Sequence, residues 1–352
     1  MPASLLLCYI TLNDAEGNAF VTATALQPPA SLQIAAMTGE TPPWRRGWID
    51  ARVMLYWHVA SRIAAFRLGR AMRIADPAKR AKRIADLRDW VVQSENDGLS
   101  AMATAIQGLA IESPLAAGPA LSRVDGPDFR SDAILLYVPG GSFLIPRSPR
   151  LTALIARIAR AAGTTAYICD YRLAPEHPCP AAVDDIEAAF NELVARGYAP
   201  DRIILIGEST GGGLALATAQ RLTARGFTPG GLALLSPWID FDPTRTNINP
   251  PTKMCAKLYL GSASPIDPAN NPSRGSLRGL PPMMIHASRG DPLFADAQML
   301  AERAAFAGVS AELRHWPGSL HVLERFDDAD ARRSISEVAA FIARRLAIRR
   351  AS

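Results

Sequence analysis

Cysteine is scarce. Four thiols, at Cys8, Cys169, Cys179 and Cys255, are spread over 352 residues. They are too few and too scattered for a disulfide scaffold, and no CxxC pair or Cys/His cluster with zinc spacing occurs. The expected state is four free thiols in a reducing compartment, the cytoplasm. Long apolar runs are also missing: none reaches the ~18 residues of a membrane-spanning helix, so no stable membrane insertion is expected. The short run Leu5–Ile10 has no Lys or Arg before it and no convincing small-residue cleavage site after it, and it reads as a strand or helix of the folded protein. Basic runs of five or more are absent. Lys plus Arg is 38 against 33 Asp plus Glu, a net charge of +5, which gives little support to nucleic-acid binding.

What is present is ordinary globular composition, 49% hydrophobic and 20% charged, without internal repeats or low-complexity segments. The organisation changes near residue 120. Before it lie two Pro-rich patches, Gln27–Pro29 and Thr41–Trp44, and mostly helical patterns. Residues 49–75 place Val53, Leu55, Tyr56, Val59, Ile63 and Phe66 at helical intervals, interleaved with Arg45, Arg46, Arg52, Arg62, Arg67, Arg70 and Arg73. A basic amphipathic helix can lie on a membrane, but more often it packs on a core with its charges solvated. Asp76-Pro77 opens a second helix to about residue 94, with Ile84, Leu87, Trp90 and Val91 on one side. After residue 130, short apolar runs alternate with helical ones. Strands are expected at 133–138, 165–169, 202–206, 232–235, 282–287 and 311–316, and helices at 150–162, 181–196, 210–225, 293–307 and 330–349. This alternation predicts an α/β fold, a mostly parallel sheet with helices on both faces.

The strongest local signal is Gly207-Glu208-Ser209-Thr210-Gly211, between the apolar run RIILI and the helical run GGGLALATAQRL. A G-x-S-x-G elbow needs this strand–turn–helix setting, because the turn lifts the Ser hydroxyl above the sheet and demands small neighbours. A Ser nucleophile needs a base, and the base needs an orienting acid. Of the three His that follow, His286 and His315 fall inside apolar strands, whereas His321 follows Trp316-Pro317-Gly318-Ser319 on a loop. Loops at the carboxyl ends of parallel strands are where such sites form. Asp291, after the run PMMIHAS, is the leading acid, although it could equally cap the next helix; Asp296 competes as that cap, and Asp240 and Asp242 are weaker acids. Acyl transfer also needs N–H donors for the oxyanion. Thr210, after the nucleophile, supplies one, and Pro139-Gly140-Gly141-Ser142-Phe143, directly after AILLYV, supplies others. That loop lacks the G-x-G-x-x-G spacing of dinucleotide binding, so no cofactor is expected.

Six segments in order, YVPGGSF (137–143), DYRLAPEHPCPAA (170–182), GESTGGG (207–213), SPWIDF (236–241), LPPMMIHASRGDPL (280–293) and WPGSLH (316–321), resemble the hormone-sensitive-lipase-like branch of the α/β-hydrolases, over about residues 130–345. The resemblance implies an α/β-hydrolase catalytic domain over 121–352 and a helical cap with an N-terminal extension over 1–120. It implies Ser209 as nucleophile, His321 as general base and acid, Asp291 as the orienting carboxylate, and main-chain donors from Gly140, Gly141, Ser142 and Thr210. It departs from the family at two places: the oxyanion loop reads Pro-Gly-Gly-Ser where the family has His-Gly-Gly-Gly, and Thr210 stands where Ala is usual. Trp44, Trp48, Trp57 and Trp90 of the cap either line a pocket or bury the cap on the main domain. The expected activity is cofactor-free hydrolysis of a small or medium-chain carboxylic ester, a small-molecule partner. Acyl transfer, a specialised lactone, carbamate or amide hydrolysis, and a non-catalytic receptor on the same fold remain as alternatives, and the family allows a homodimer through its last strand and helix.

Overall fold

The computed structural model describes residues 11–13, 19–21, 55, 59–60, 62–96, 106–112 and 120–347. The run Leu5–Ile10, both Pro-rich patches, and Trp44, Trp48, Val53, Tyr56 and Trp57 lie outside the described residues.

The apolar runs form the middle of an eight-stranded sheet. Its strands are β3 (Ala110–Glu112), β4 (Leu121–Asp125), β5 (Arg130–Val138), β6 (Thr164–Cys169), β7 (Ile203–Glu208), β8 (Gly231–Leu235), β9 (Met283–Ser288) and β10 (Ala311–Trp316), in the spatial order β10-β9-β8-β7-β5-β6-β4-β3. A separate antiparallel pair, β1 (Thr11–Asn13) and β2 (Ala19–Val21), lies nearer the N-terminus. From β5 to β10 every neighbouring pair is parallel; β3–β4 and β4–β6 are antiparallel.

The runs are apolar at every position because both faces are covered. Ile134, Leu136 and Val138 face a cluster with Phe190, Leu214 and Leu300, on the helices Ala181–Ala195, Thr210–Ala224 and Phe294–Phe306. Leu135, Tyr137, Ile204 and Ile206 face the other way and meet Leu154, Ile158, Val338 and Ile342 on the helices Pro149–Ala162 and Ala329–Ala347. All six residues Ala133–Val138 are completely buried. At that depth Leu136→Ala costs about 2–5 kcal/mol, the lost transfer energy plus a cavity.

Several elements lay outside the sequence expectation, the pair β1 and β2 among them. β3 and β4 read AIE and LSRVD, with no apolar run to announce them, and β3 lies on the N-terminal side of residue 120. The helix Pro250–Leu260 opens on two prolines, which look like a loop; the Asn249 side chain caps it by accepting the Thr252 N–H at 2.9 Å.

In the N-terminal part, residues 62–72 are helical and Pro77–Asn96 forms a second helix. Asp76 caps the latter, its Oδ1 accepting from Ala78 N at 2.9 Å and Lys79 N at 3.1 Å. Leu68, Ala71, Ile84 and Leu87 are buried in the same cluster as Phe143 and Leu144, just after β5. Trp90 packs on that cluster half-buried, with the Arg67 guanidinium 4.6 Å above its ring. No helix among the described residues is long and apolar enough to cross a membrane.

The chain leaves β5 for β6 on one side and then crosses back to β7 on the other, so the order reverses between β5 and β7. In a doubly wound sheet, the crevice outside the carboxyl ends at such a reversal is where ligands bind. Gly140 follows β5 there, and Ser209 follows β7.

Candidate active site

Ser209 occupies a backbone conformation few side chains tolerate, φ 55° and ψ −125°, between β7 and the helix Thr210–Ala224. Such strain costs on the order of 1–3 kcal/mol and persists only where the surroundings impose it. Here Ser209 N–H donates to Leu235 O at 2.9 Å, and Ser209 O accepts from Trp238 N at 2.9 Å and Gly212 N at 3.1 Å. The turn is closed too tightly for side chains: a Cβ on Gly207 would strike the Gly211 carbonyl, and one on Gly211 would strike the Val138 carbonyl. The glycines of the elbow are therefore steric requirements.

Asp291 follows β9 and His321 follows β10. His321 Nε2 lies 2.9 Å from Ser209 Oγ, and His321 Nδ1 lies 2.9 Å and 3.2 Å from the two Asp291 oxygens. The Asp291 side chain is fully buried, and that of His321 is one-third exposed. Asp291 Oδ1 also accepts the Leu293 N–H at 2.8 Å, so the carboxylate closes its own turn as well as orienting the ring. Burial disfavours a charged His321 ring, but the Asp291 charge and hydrogen bond outweigh it, and the His321 pKa stands above the ordinary histidine value; Arg325 lowers it and Glu208 raises it by lesser amounts.

The competing residues are placed elsewhere. Asp296 is buried, accepts from Ile239 N at 3.0 Å and Asp240 N at 3.2 Å, and pairs with Arg245. Asp240 accepts from Asn271 Nδ2 at 2.8 Å, and Asp242 closes a turn on Thr244. His286 is buried in β9 with Nδ1 2.6 Å from Ser334 Oγ, and Ser334 in turn donates to Glu324. His315 is exposed on β10, with Nε2 3.0 Å from Arg289 Nη2.

The loop after β5 carries its own strain: Ser142 and Phe143 both have positive φ, 53° and 67°, and Gly141 has φ 133°. Aromatic packing holds Phe143 there. Its ring stacks on Tyr259 with centroids 4.0 Å apart, and meets Phe241 edge-on at 4.9 Å and Trp238 at 5.3 Å. Tyr171 Oη donates to Pro139 O at 2.8 Å, a bond that uses the main chain and so survives the missing His side chain. One expected donor is corrected. The Gly140 N–H is given to the Glu208 carboxylate, and Gly140 has no Cβ because Glu208 fills that space. Among the described residues no acceptor takes the N–H of Gly141, Ser142 or Thr210. Sequence reasoning passed over Glu208 as a spacer in the elbow; its partners, Gly140 and Arg325, lie 68 and 117 residues away.

A family model described as "alpha/beta hydrolase fold" matches residues 135–325. The chain is 33% identical over 222 residues to an acetyl-hydrolase of Streptomyces hygroscopicus, covering 59% of this chain and 74% of that protein. It is 34% identical over 204 residues to the esterase LipU of Mycobacterium tuberculosis, covering 53% of this chain and 69% of LipU. Among solved structures, an esterase from the bacterial hormone-sensitive lipase family superposes with a TM-score of 0.69 at 31% identity, covering 82% of this chain and 98% of the other.

Proposed function

The chain belongs to the α/β-hydrolase fold family, among its bacterial hormone-sensitive-lipase-type members, and is an ester-bond hydrolase; from that premise we propose that Ser209 carries the hydrolysis through an acyl-enzyme on small or medium-chain carboxylic esters. The observation behind the reading is the continuous relay from Ser209 Oγ through His321 to Asp291, with both ring nitrogens within 2.9 Å of a partner.

Ser209 Oγ attacks the ester carbonyl carbon while His321 Nε2 takes the hydroxyl proton. Asp291 holds the proton on Nδ1 and stabilises the imidazolium. The oxygen that gains charge is met by the unengaged N–H groups of Gly141, Ser142 and Thr210, preorganised donors where charge develops. The tetrahedral intermediate collapses, the C–O bond to the alcohol breaks, and the alcohol leaves with the proton from His321. Water then attacks the acyl-Ser209 ester as His321 takes its proton, and breaking the Ser209 ester returns that proton to Oγ and frees the acid. No step needs a cofactor.

The test is hydrolysis of p-nitrophenyl acetate, butyrate, octanoate and palmitate by the wild type and Ser209→Ala. The expected result is turnover of the shorter chains that disappears in the variant. Turnover surviving in Ser209→Ala would move the nucleophile elsewhere.

A further inference from the structure

Arg88 stands on the helix Pro77–Asn96, far in sequence from the elbow and from β5, yet its guanidinium reaches the loop after β5. Its Nε donates to Leu144 O at 2.8 Å, and its Nη2 donates to Ala174 O at 3.0 Å. The fork also pairs with Glu176, Nη2 to Oε2 at 2.7 Å and Nη1 to Oε1 at 3.0 Å. Lys79, Lys82 and Arg83 of the same helix are exposed, as a solvated basic face should be. Arg88 departs from that stripe and binds two carbonyls of buried residues, Leu144 and Ala174.

Those carbonyls belong to segments already tied to the loop. Ala174 N donates to Phe143 O at 3.1 Å. Leu144 N and Ile145 N both donate to Gly141 O, at 3.0 Å and 2.9 Å. Gly141 C=O and Ser142 N–H are two ends of one planar trans peptide and point in opposite directions. Fixing the Gly141 oxygen therefore fixes where the Ser142 N–H is aimed. The positive φ angles of Ser142 and Phe143 mean that a turn released from its anchors has somewhere easier to go.

We propose that Arg88 is a positioning residue for oxyanion stabilisation, holding Leu144 and Ala174 so that the Gly141–Ser142 peptide keeps its N–H directed into the site. This rests on the Ser209 esterase reading above. The helix Pro77–Asn96 thereby takes part in transition-state stabilisation without touching substrate. The guanidinium fork is what makes this feasible: Nε, Nη1 and Nη2 make four hydrogen bonds from three separated nitrogens, and an ammonium offers three donors on one atom.

The experiment uses the full chain as wild type, Arg88→Ala, Arg88→Lys and Glu176→Gln, with p-nitrophenyl butyrate as substrate. Active sites are titrated with diethyl p-nitrophenyl phosphate, so that kcat refers only to folded, competent molecules. Arg88→Ala is expected to lose about 10–100-fold in kcat with KM little changed, the scale of a misplaced oxyanion donor. Arg88→Lys recovers little, whereas millimolar guanidinium restores part of the rate to Arg88→Ala and none to the wild type. Glu176→Gln keeps most of kcat, since its amide oxygen still accepts from the fork. Wild-type kcat per titrated site in Arg88→Ala, with only a lower melting temperature, would overturn the inference and leave Arg88 as an adhesive between helix and domain. A loss in Glu176→Gln equal to that in Arg88→Ala would overturn it too, assigning the effect to the ion pair. An inactive wild type would sink the esterase reading and this inference together; an active wild type matched by Arg88→Ala sinks this inference alone.

Discussion

Glu208 and Arg325 face each other behind the site: Arg325 Nη2 lies 3.3 Å from Glu208 Oε2, with the Glu208 side chain completely buried and that of Arg325 nearly so. Glu208 adjoins Ser209 and takes the Gly140 N–H, while Arg325 lies four residues past His321. One carboxylate thus ties the loop after β5 to the loop carrying His321.

Breaking this pair has a thermal and a kinetic consequence. Glu208→Gln removes the buried negative charge that faces Arg325 and accepts the Gly140 N–H, and should cost on the order of 1–3 kcal/mol, read as a lower melting temperature. The kinetic consequence is on pH. With neutral His321 as the proposed base, kcat/KM should fall as pH drops through the His321 pKa, and the raised pKa places that acid limb above the ordinary histidine value of 6.5. Glu208 raises this pKa and Arg325 lowers it. Glu208→Gln should therefore move the limb down and Arg325→Leu should move it up. Midpoints that shift in the same direction would contradict this account of the pair.

Much of the fold was legible because the central strands are buried on both faces. AILLYV, RIILI and MMIHAS carry apolar residues at nearly every consecutive position, and beside the helical periods of the same chain such short, unbroken runs mark strands covered on both sides. β3 and β4 were not legible because the exposed edge strand β3 and its short neighbour β4, with Arg123 and Asp125 only partly buried, carry no such run. The site divides in the same way. Ser209, Asp291 and His321 could be read as candidates because each follows a readable strand, and the fold brings the three within hydrogen-bond distance. Glu208, Arg325 and Arg88 could not, because each looks like a spacer or a solvated charge until the fold brings its distant partner to it. Gly140 was misassigned for the same reason: nothing local shows that Glu208 has taken its N–H.

Asp291→Asn separates orientation from fold. The amide oxygen can still accept the Leu293 N–H, so the turn after β9 should persist and the melting temperature should change little. The amide cannot hold the proton on Nδ1 as the carboxylate does, and kcat should fall by about 10⁴-fold. Steady-state kinetics beside a thermal melt checks both halves, and a near-wild-type rate would place the orienting acid elsewhere.

The same substitution should have opposite signs at two glycines. Gly211→Ala drives a methyl into the Val138 and Pro139 carbonyls, which belong to the backbone and cannot move aside, so a loss of about 3 kcal/mol or more is expected. Gly69 lies in the helical stretch 62–72, and a Cβ there meets nothing within 4 Å. Gly69→Ala should stabilise by about 0.5–1 kcal/mol through helix propensity. Thermal melts of the two variants decide it; a stabilised Gly211→Ala would mean the elbow is looser than described.

Ser142→Gly tests whether Ser142 works by its main chain. Its φ of 53° is a conformation glycine adopts without the Cβ penalty, and the N–H is unchanged. Relief of about 1 kcal/mol of strain is offset by the greater freedom glycine has in the unfolded chain. The melting temperature should therefore hold, and kcat on p-nitrophenyl butyrate should fall no more than slightly. The side chain is half-buried beside the site, so its removal enlarges the space there and should shift the chain-length profile toward longer acyl groups. A large loss of kcat with every ester would instead show that the hydroxyl itself contributes to the transition state, which would make this loop chemically different from one built of glycines alone.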